Sequence, residues 1–161
     1  MSAEFELRCP ISANLGFIRD LVRVHGQHGG LRGQRLDDLV LAVSEAAAHV
    51  LKHGDGVGMV TSRRTAEGIA VEILDVAGRL THDHLTGPDH LTGPDHLTGP
   101  DRLTGPRRLG LSMIKRLCDE IRLEHTGLGS LLTLHVHCRP ANAGLPRRGF
   151  TPCGQHARCA D

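Results

Sequence analysis

The sequence predicts an α+β fold, a two-layer sandwich in which helices cover one face of a mixed, mostly antiparallel sheet. Three observations predict it. Two long apolar patterns at helical spacing follow one another early in the chain. Runs rich in β-branched and aliphatic residues come in pairs, each pair parted by a short turn signal. The resulting order is β α α β β α β β, with helices in blocks rather than in strict alternation with strands.

The elements can be justified in order. Phe5 to Cys9 alternates apolar and charged residues, a short half-buried strand that Pro10 ends. Ser12 is expected to cap a helix with Leu15, Ile18, Leu21, Val22 and His25 along its inner side. Gly29, Gly30 and Gly33 break it. A second helix is expected from Gln34 to His53, with a wide apolar face from Leu36 to Leu51 and a stop at Gly54. Val57 to Arg64 and Ile69 to Val76 form a hairpin around Thr65-Ala-Glu-Gly68. Leu109 to Glu120 reads as a third helix. Ile121 to His125 and Leu131 to His137 read as two strands around Gly127-Leu-Gly129.

Between the third strand-like run and the third helix stands a tandem hexapeptide: Asp83-His-Leu-Thr-Gly-Pro88, repeated to Pro94 and Pro100, and closed by Asp101-Arg-Leu-Thr-Gly-Pro106. Pro lacks an N–H and disfavours helix in the residue before it, so neither a long helix nor a central strand fits the tract. The domain organisation expected is therefore one domain over residues 1–138, interrupted by the repeat at 83–106, with a flexible tail at 139–161 rich in Pro, Gly and Arg.

Composition excludes several classes. A net charge of +1 gives no electrostatic case for direct nucleic-acid binding or for a membrane surface. The absence of Trp and Tyr removes a stacking platform for single strands. No apolar run approaches the roughly 20 residues that span a bilayer, and the N-terminus lacks signal-peptide features. A cytoplasmic location follows as the expectation. The five Cys lack a framework-like spacing and read as reduced thiols. The His-rich repeat and Cys153, His156 and Cys159 hold metal-ligating side chains without a standard zinc spacing, so no metal site is expected.

Four segments together carry a resemblance. Asp37-Asp-Leu-Val-Leu-Ala-Val-Ser-Glu-Ala-Ala-Ala-His-Val-Leu-Lys-His-Gly54 resembles the N-box helix of the histidine-kinase-like ATPases. Ile69 to Asp75 resembles the strand that carries their adenine-reading Asp. Leu109-Gly-Leu-Ser-Met-Ile-Lys-Arg-Leu-Cys-Asp-Glu120 resembles the glycine-entered helix after the mobile lid, and Gly129-Ser130 the last box. The repeat stands in the place of that lid. Within the superfamily, the short form with this N-terminal strand and helix is similar to anti-sigma factors that are also serine kinases.

The resemblance implies a regulator that works by partner switching. Such a protein holds a sigma factor, is captured by an anti-sigma antagonist, and phosphorylates a serine of that antagonist with ATP and Mg2+. It also implies a homodimer. Glu45 takes the place of the carboxylate that orients or deprotonates the attacking hydroxyl. Asp75 takes that of the adenine reader, Gly78 is the glycine left near the pocket floor, and Ser130 takes the place of a hydroxyl in the last box. Arg108 and Gly110 would meet phosphate at the helix entry, and His49 stands where the family has an Mg2+-holding Asn. Here the chain departs from the pattern. Imidazole is a poor ligand for a hard cation. Ala77 and Arg79 stand where the family needs glycines, with Gly78 out of phase. The kinase chemistry thus depends on residues that are partly replaced. The alternative is a catalytically degenerate adaptor whose repeat mediates protein interaction.

Overall fold

A computed structural model describes residues 5–86 and 111–138. Most of the repeat, Arg108, Gly110 and the tail expected at 139–161 lie outside them. The strands are β1 (Glu6–Pro10), β2 (Gly58–Arg64), β3 (Gly68–Asp75), β4 (Glu120–Thr126) and β5 (Gly129–His137). The helices are α1 (Leu15–His28), α2 (Gly33–His53), α3 (His82–Thr86) and α4 (Ile114–Leu117), the last preceded by a 3-10 turn at Leu111–Met113.

The five strands form one sheet in the order β1-β2-β3-β5-β4, and each neighbouring pair is antiparallel. The sheet described is thus wholly antiparallel rather than mixed. Successive side chains point to opposite faces, and the register aligns the buried ones across the sheet. Val71 faces Leu134, Ile73 faces Leu132, and Val60 and Leu123 extend the row on either side. These side chains meet Ile18 and Val22 of α1 and Leu39, Val43, Ala46, Ala47 and Val50 of α2 in one core cluster. A fully buried Leu or Ile contributes roughly 1.5–3 kcal/mol relative to exposure, so this face is what holds the two layers together.

Helix α1 starts at Leu15, and Asn14 rather than Ser12 is its cap. The Asn14 Oδ1 accepts from the Phe17 N–H at 3.1 Å. Ser12 lies two residues too early to reach the first free amides, and Asn caps as well as Ser. His25 on α1 crosses to the sheet. A carbonyl only accepts, so Nε2 donates to the Phe5 oxygen at 2.9 Å, and Nδ1 accepts from the Ser62 hydroxyl at 2.8 Å. This buried pair ties β1 and β2 to the helical layer.

The third helix is shorter than the sequence predicts. Cys118 is already extended and β4 begins at Glu120. Asp119 fixes the exit: its carboxylate accepts the His137 N–H at 2.8 Å and pairs with Arg35 of α2. A residue whose side chain satisfies neighbouring backbone competes with continuation of a helix. Its burial pushes the Cys118 thiol up to about 12.

Candidate functional site

The residues singled out from the sequence fall at two poles around the C-terminal ends of α2 and β3. At the first pole Asp75 and Ser130 are cross-strand partners in the β3–β5 register, and both are fully buried on the helix-facing side. The Asp75 carboxylate receives three backbone N–H groups of the segment that follows: Ala77 at 3.2 Å, Arg79 at 2.7 Å and Leu80 at 2.9 Å. Ser130 donates its hydroxyl to the Leu80 carbonyl at 2.9 Å. Its one proton is thereby used, so His125 Nδ1, 3.1 Å away, is the donor to Ser130 Oγ. The two side chains clamp the loop after β3 from both sides and hold Leu80 in the core.

Gly78 has its own task in this loop. Its N–H closes a turn onto the Asp75 carbonyl at 3.0 Å, with φ at +67°. A residue with a Cβ adopts that conformation at a cost of about 1 kcal/mol or more. The glycine that looks out of phase with the family pattern is therefore the one this turn requires. Gly54 at the end of α2 is required for a different reason. A Cβ there would lie 2.8 Å from Asp75 Oδ1 and 2.7 Å from the Val50 carbonyl oxygen. The stop of α2 is thus set by close approach to Asp75, with an extended backbone at Gly54 rather than a left-handed one.

At the second pole Glu45, His49 and His53 lie at i, i+4 and i+8 of α2 and share one stripe of the helix. Glu45 and His49 are half-buried and His53 is exposed. The His49 ring lies 4.6 Å from the ring of His53 and 4.6 Å from that of His84, which comes from α3. Among the described residues, His49 Nε2 is buried without a hydrogen-bond partner. Burial first, and then the nearby His84 and His53, lower the His49 pKa to about 4, against a smaller opposing pull from Asp75. At neutral pH the ring is an uncharged group in a tight site.

Helix α3 belongs to the first copy of the hexapeptide. Leu85 is buried in the core cluster, while His84 rests over α2. His84 Nδ1 accepts from the Thr81 N–H at 3.2 Å, so its ring proton sits on Nε2. That tautomer blocks both ring nitrogens as ligands while the contact lasts. Among the described residues no group of three His, Cys, Asp or Glu side chains is arranged to hold a metal ion.

The resemblance puts Glu45, His49, Asp75, Gly78 and Ser130 around one pocket; the structure gathers Asp75, Gly78 and Ser130 in one cluster and sets Glu45 with His49 on the neighbouring stripe of α2. Arg108 and Gly110 lie outside the described residues. The sequence reading missed His53 and His84 as neighbours of His49. The i, i+4 step from His49 to His53 was the available signal for the first; nothing short of the fold places His84.

A hollow of about 530 Å³ lies elsewhere, on the outer face of the sheet, lined by Arg63, Glu72, Arg122, Thr133 and His135 among others. Its charges include the Arg63–Glu72 and Arg122–Glu124 pairs, and none of the residues above reaches it. Among the described residues no helix is long and apolar enough to cross a membrane.

Comparison with known proteins agrees with the fold. Among curated proteins no relative matches this chain. A solved structure, the crystal structure of the RsbU and RsbW domains of Rv1364c from Mycobacterium tuberculosis, superposes with a TM-score of 0.54 at 21% identity. The match covers 85% of this chain, which spans only 34% of the length of that one. The histidine kinase-like ATPase domain family matches residues 12–136. That range runs from the start of α1 into β5 and takes in both poles, so the chain belongs to the histidine kinase-like ATPase domain family.

Proposed function

We propose that this chain is an anti-sigma-factor-type regulator acting by partner switching. It holds a sigma factor by protein surface and gives it up when an anti-sigma antagonist protein takes the place. The reading rests on family membership and on the order of the boxes, with the likeness to an RsbW-containing structure supporting the fold. In this reading the protein works as a cytoplasmic homodimer and regulates transcription without touching DNA.

Membership of the family implies ATP binding, commonly with Mg2+. The residues here do not fit that group. Mg2+ takes oxygen ligands in near-octahedral array, and the helix offers it a nitrogen at His49. A reader of the adenine amino group needs an acceptor, and three of the roughly four acceptor sites of a carboxylate are taken at Asp75 by backbone N–H groups of its own loop. Glu45 keeps the position from which a carboxylate could orient a hydroxyl. The observation that carries the proposal is this conversion of the Asp75 pole into an internal clamp while the fold is kept. Partner exchange is accordingly the proposed function, and it needs no phosphorylation of the antagonist.

The test is binding of the purified chain to the sigma factors and antagonists of its own source, by surface plasmon resonance, with and without MgATP. Expected are a specific sigma-factor complex, its displacement by an antagonist without nucleotide, and no phosphate transfer to antagonist serine. Failure to bind any sigma factor overturns the regulator reading. MgATP binding at micromolar Kd with transfer that Glu45→Ala abolishes overturns the non-kinase part of it. The rival reading, an adaptor working through its repeat, is weakened by the first copy: its Leu85 is turned into the core rather than offered to a partner. Deletion of 83–106 with loss of partner binding and an intact fold would restore that rival.

A further inference from the structure

We propose that two copies of this chain pair through the free edge of β1 and the flank of α1 beside it, with β1 antiparallel to its own copy and centred on Leu7. The inference rests on the homodimer of the proposed function and gives that dimer its surface. Strand β1 ends the sheet, and an uncovered edge strand presents unpaired N–H and C=O groups. The phase of these groups is fixed by the Ile11 N–H, which donates to the Gly58 carbonyl at 2.9 Å. Bonding alternates along an antiparallel pair, so Leu7 and Cys9 turn their backbone groups to β2, and Glu6, Arg8 and Pro10 turn theirs outward. The flank beside this edge is apolar. Phe5 is 69% exposed and stacks on His25 of α1. Phe17, Leu21 and Val24 share one stripe of α1, and Phe17 and Val24 are both about half exposed. The opposite side of α1 meets α2, through Arg19 on Ser44 and Arg23 on Asp37, so the stripe faces the β1 side. The other edge strand, β4, carries no exposed large apolar residue from Glu120 to Thr126.

Charge and hydrogen bonding select a second copy as the occupant. Two identical strands pair about a two-fold axis, so each residue meets its counterpart across a fixed centre. Centring on Arg8 would set Arg8 against itself and would place Pro10, which has no N–H, opposite Glu6. Centring on Leu7 sets Glu6 of each copy opposite Arg8 of the other, and uses the outward N–H and C=O groups of both residues. Glu6 and Arg8 already pair within the chain, so the junction becomes a row of charges of alternating sign on the outer face. On the helix-facing side Leu7 meets Leu7 of the second copy, Phe5 meets Cys9, and the two α1 stripes flank the junction. The charge pattern and the hydrogen-bonding phase thus agree on one self-complementary register.

The test is sedimentation equilibrium of the full chain and of its variants E6R and R8E, run separately and as an equal mixture. No sigma factor enters the assay, so the regulator reading is tested apart from it. Expected for the native chain is a dimer. Each variant alone sets like charges opposite one another in both cross-strand pairs, and its dimer Kd should rise about tenfold or more. In the mixture the positive pair of one chain opposes the negative pair of the other, so a heterodimer of near-native Kd should return. A native chain that stays monomeric overturns the homodimer and its surface together. Variants that dimerise as tightly as the native chain overturn the surface alone. A mixture no tighter than its parts overturns the register. Should either variant lose cooperative unfolding, F17S/V24S, which leaves the core residues in place, serves instead: a Kd raised about tenfold supports the surface, and an unchanged Kd overturns it.

Discussion

The Asp75 pole and the His49 pole lie near one another and differ in how their polar groups are satisfied. Asp75 is close to saturated: three amides fall on a carboxylate with roughly four acceptor sites, and Ser130 closes the same loop from the far side. His49 has a buried nitrogen with no partner among the described residues and two further imidazoles pressed against it. The contrast teaches that two polar residues close together in one fold can be satisfied in opposite ways. A carboxylate able to accept several hydrogen bonds becomes structural glue, whereas a ring left short of partners stays sensitive to whatever is placed beside it.

The largest effect should come from the saturated pole. Asp75→Asn leaves one carbonyl oxygen for three amides and turns an NH2 toward them. Hydrogen bonds to a charged acceptor contribute about 1.5–3 kcal/mol each and a stranded amide costs about 1–3, so a loss of about 3 kcal/mol in urea unfolding is expected. An Asp75→Asn chain of unchanged stability that gains or loses nucleotide binding would return Asp75 to a ligand-reading role.

Next comes Gly54→Ala, which presses a methyl group onto Asp75 Oδ1 and the Val50 carbonyl. Overpacking of a fixed contact costs about 1–3 kcal/mol. Combined with Asp75→Asn the loss should be less than additive, since both act on one contact. Strict additivity in the double-mutant cycle would separate α2 from the clamp.

The unsaturated pole should show itself in acid. The His49 pKa is about 4 in the folded chain and 6.5 ordinarily, so between those values the unfolded chain binds more protons. Stability is then complete above pH 6.5, falls as pH drops toward 4, and loses no more from this group below that. The loss, discounted for partial solvent access, is about 1–2 kcal/mol. His49→Asn should remove this slope. A slope that persists in the variant would trace acid sensitivity to other groups. The smallest effect is the control: Asp37→Asn opens the exposed Arg23–Asp37 pair, and exposed pairs are worth about 0–1 kcal/mol.

The fold was legible because it rests on periodicity. Leu39, Val43, Ala46 and Val50 mark the α2 face, and the alternation from Leu131 to His137 marks β5. The wholly antiparallel pairing and the early end of α4 were not legible, since Asp119 acts through Arg35 and His137, far away in sequence. At the site, the positions of Asp75 and Ser130 could be read, but not their occupation. Hydrogen bonds from Ala77, Arg79 and Leu80 depend on the path of a loop that no periodic pattern specifies. The same holds for His84, whose meeting with His49 depends on how Leu85 enters the core.

The missing side chain at Gly54 has a mechanical consequence. With only hydrogen between them, the end of α2 and the carboxylate at the end of β3 stand in direct contact. The helix cannot advance along its axis or tip toward the sheet without dislodging Asp75 and the loop it grips. A protein partner that leans on α2 would therefore work a short lever whose far arm is the segment from Val76 to Thr81.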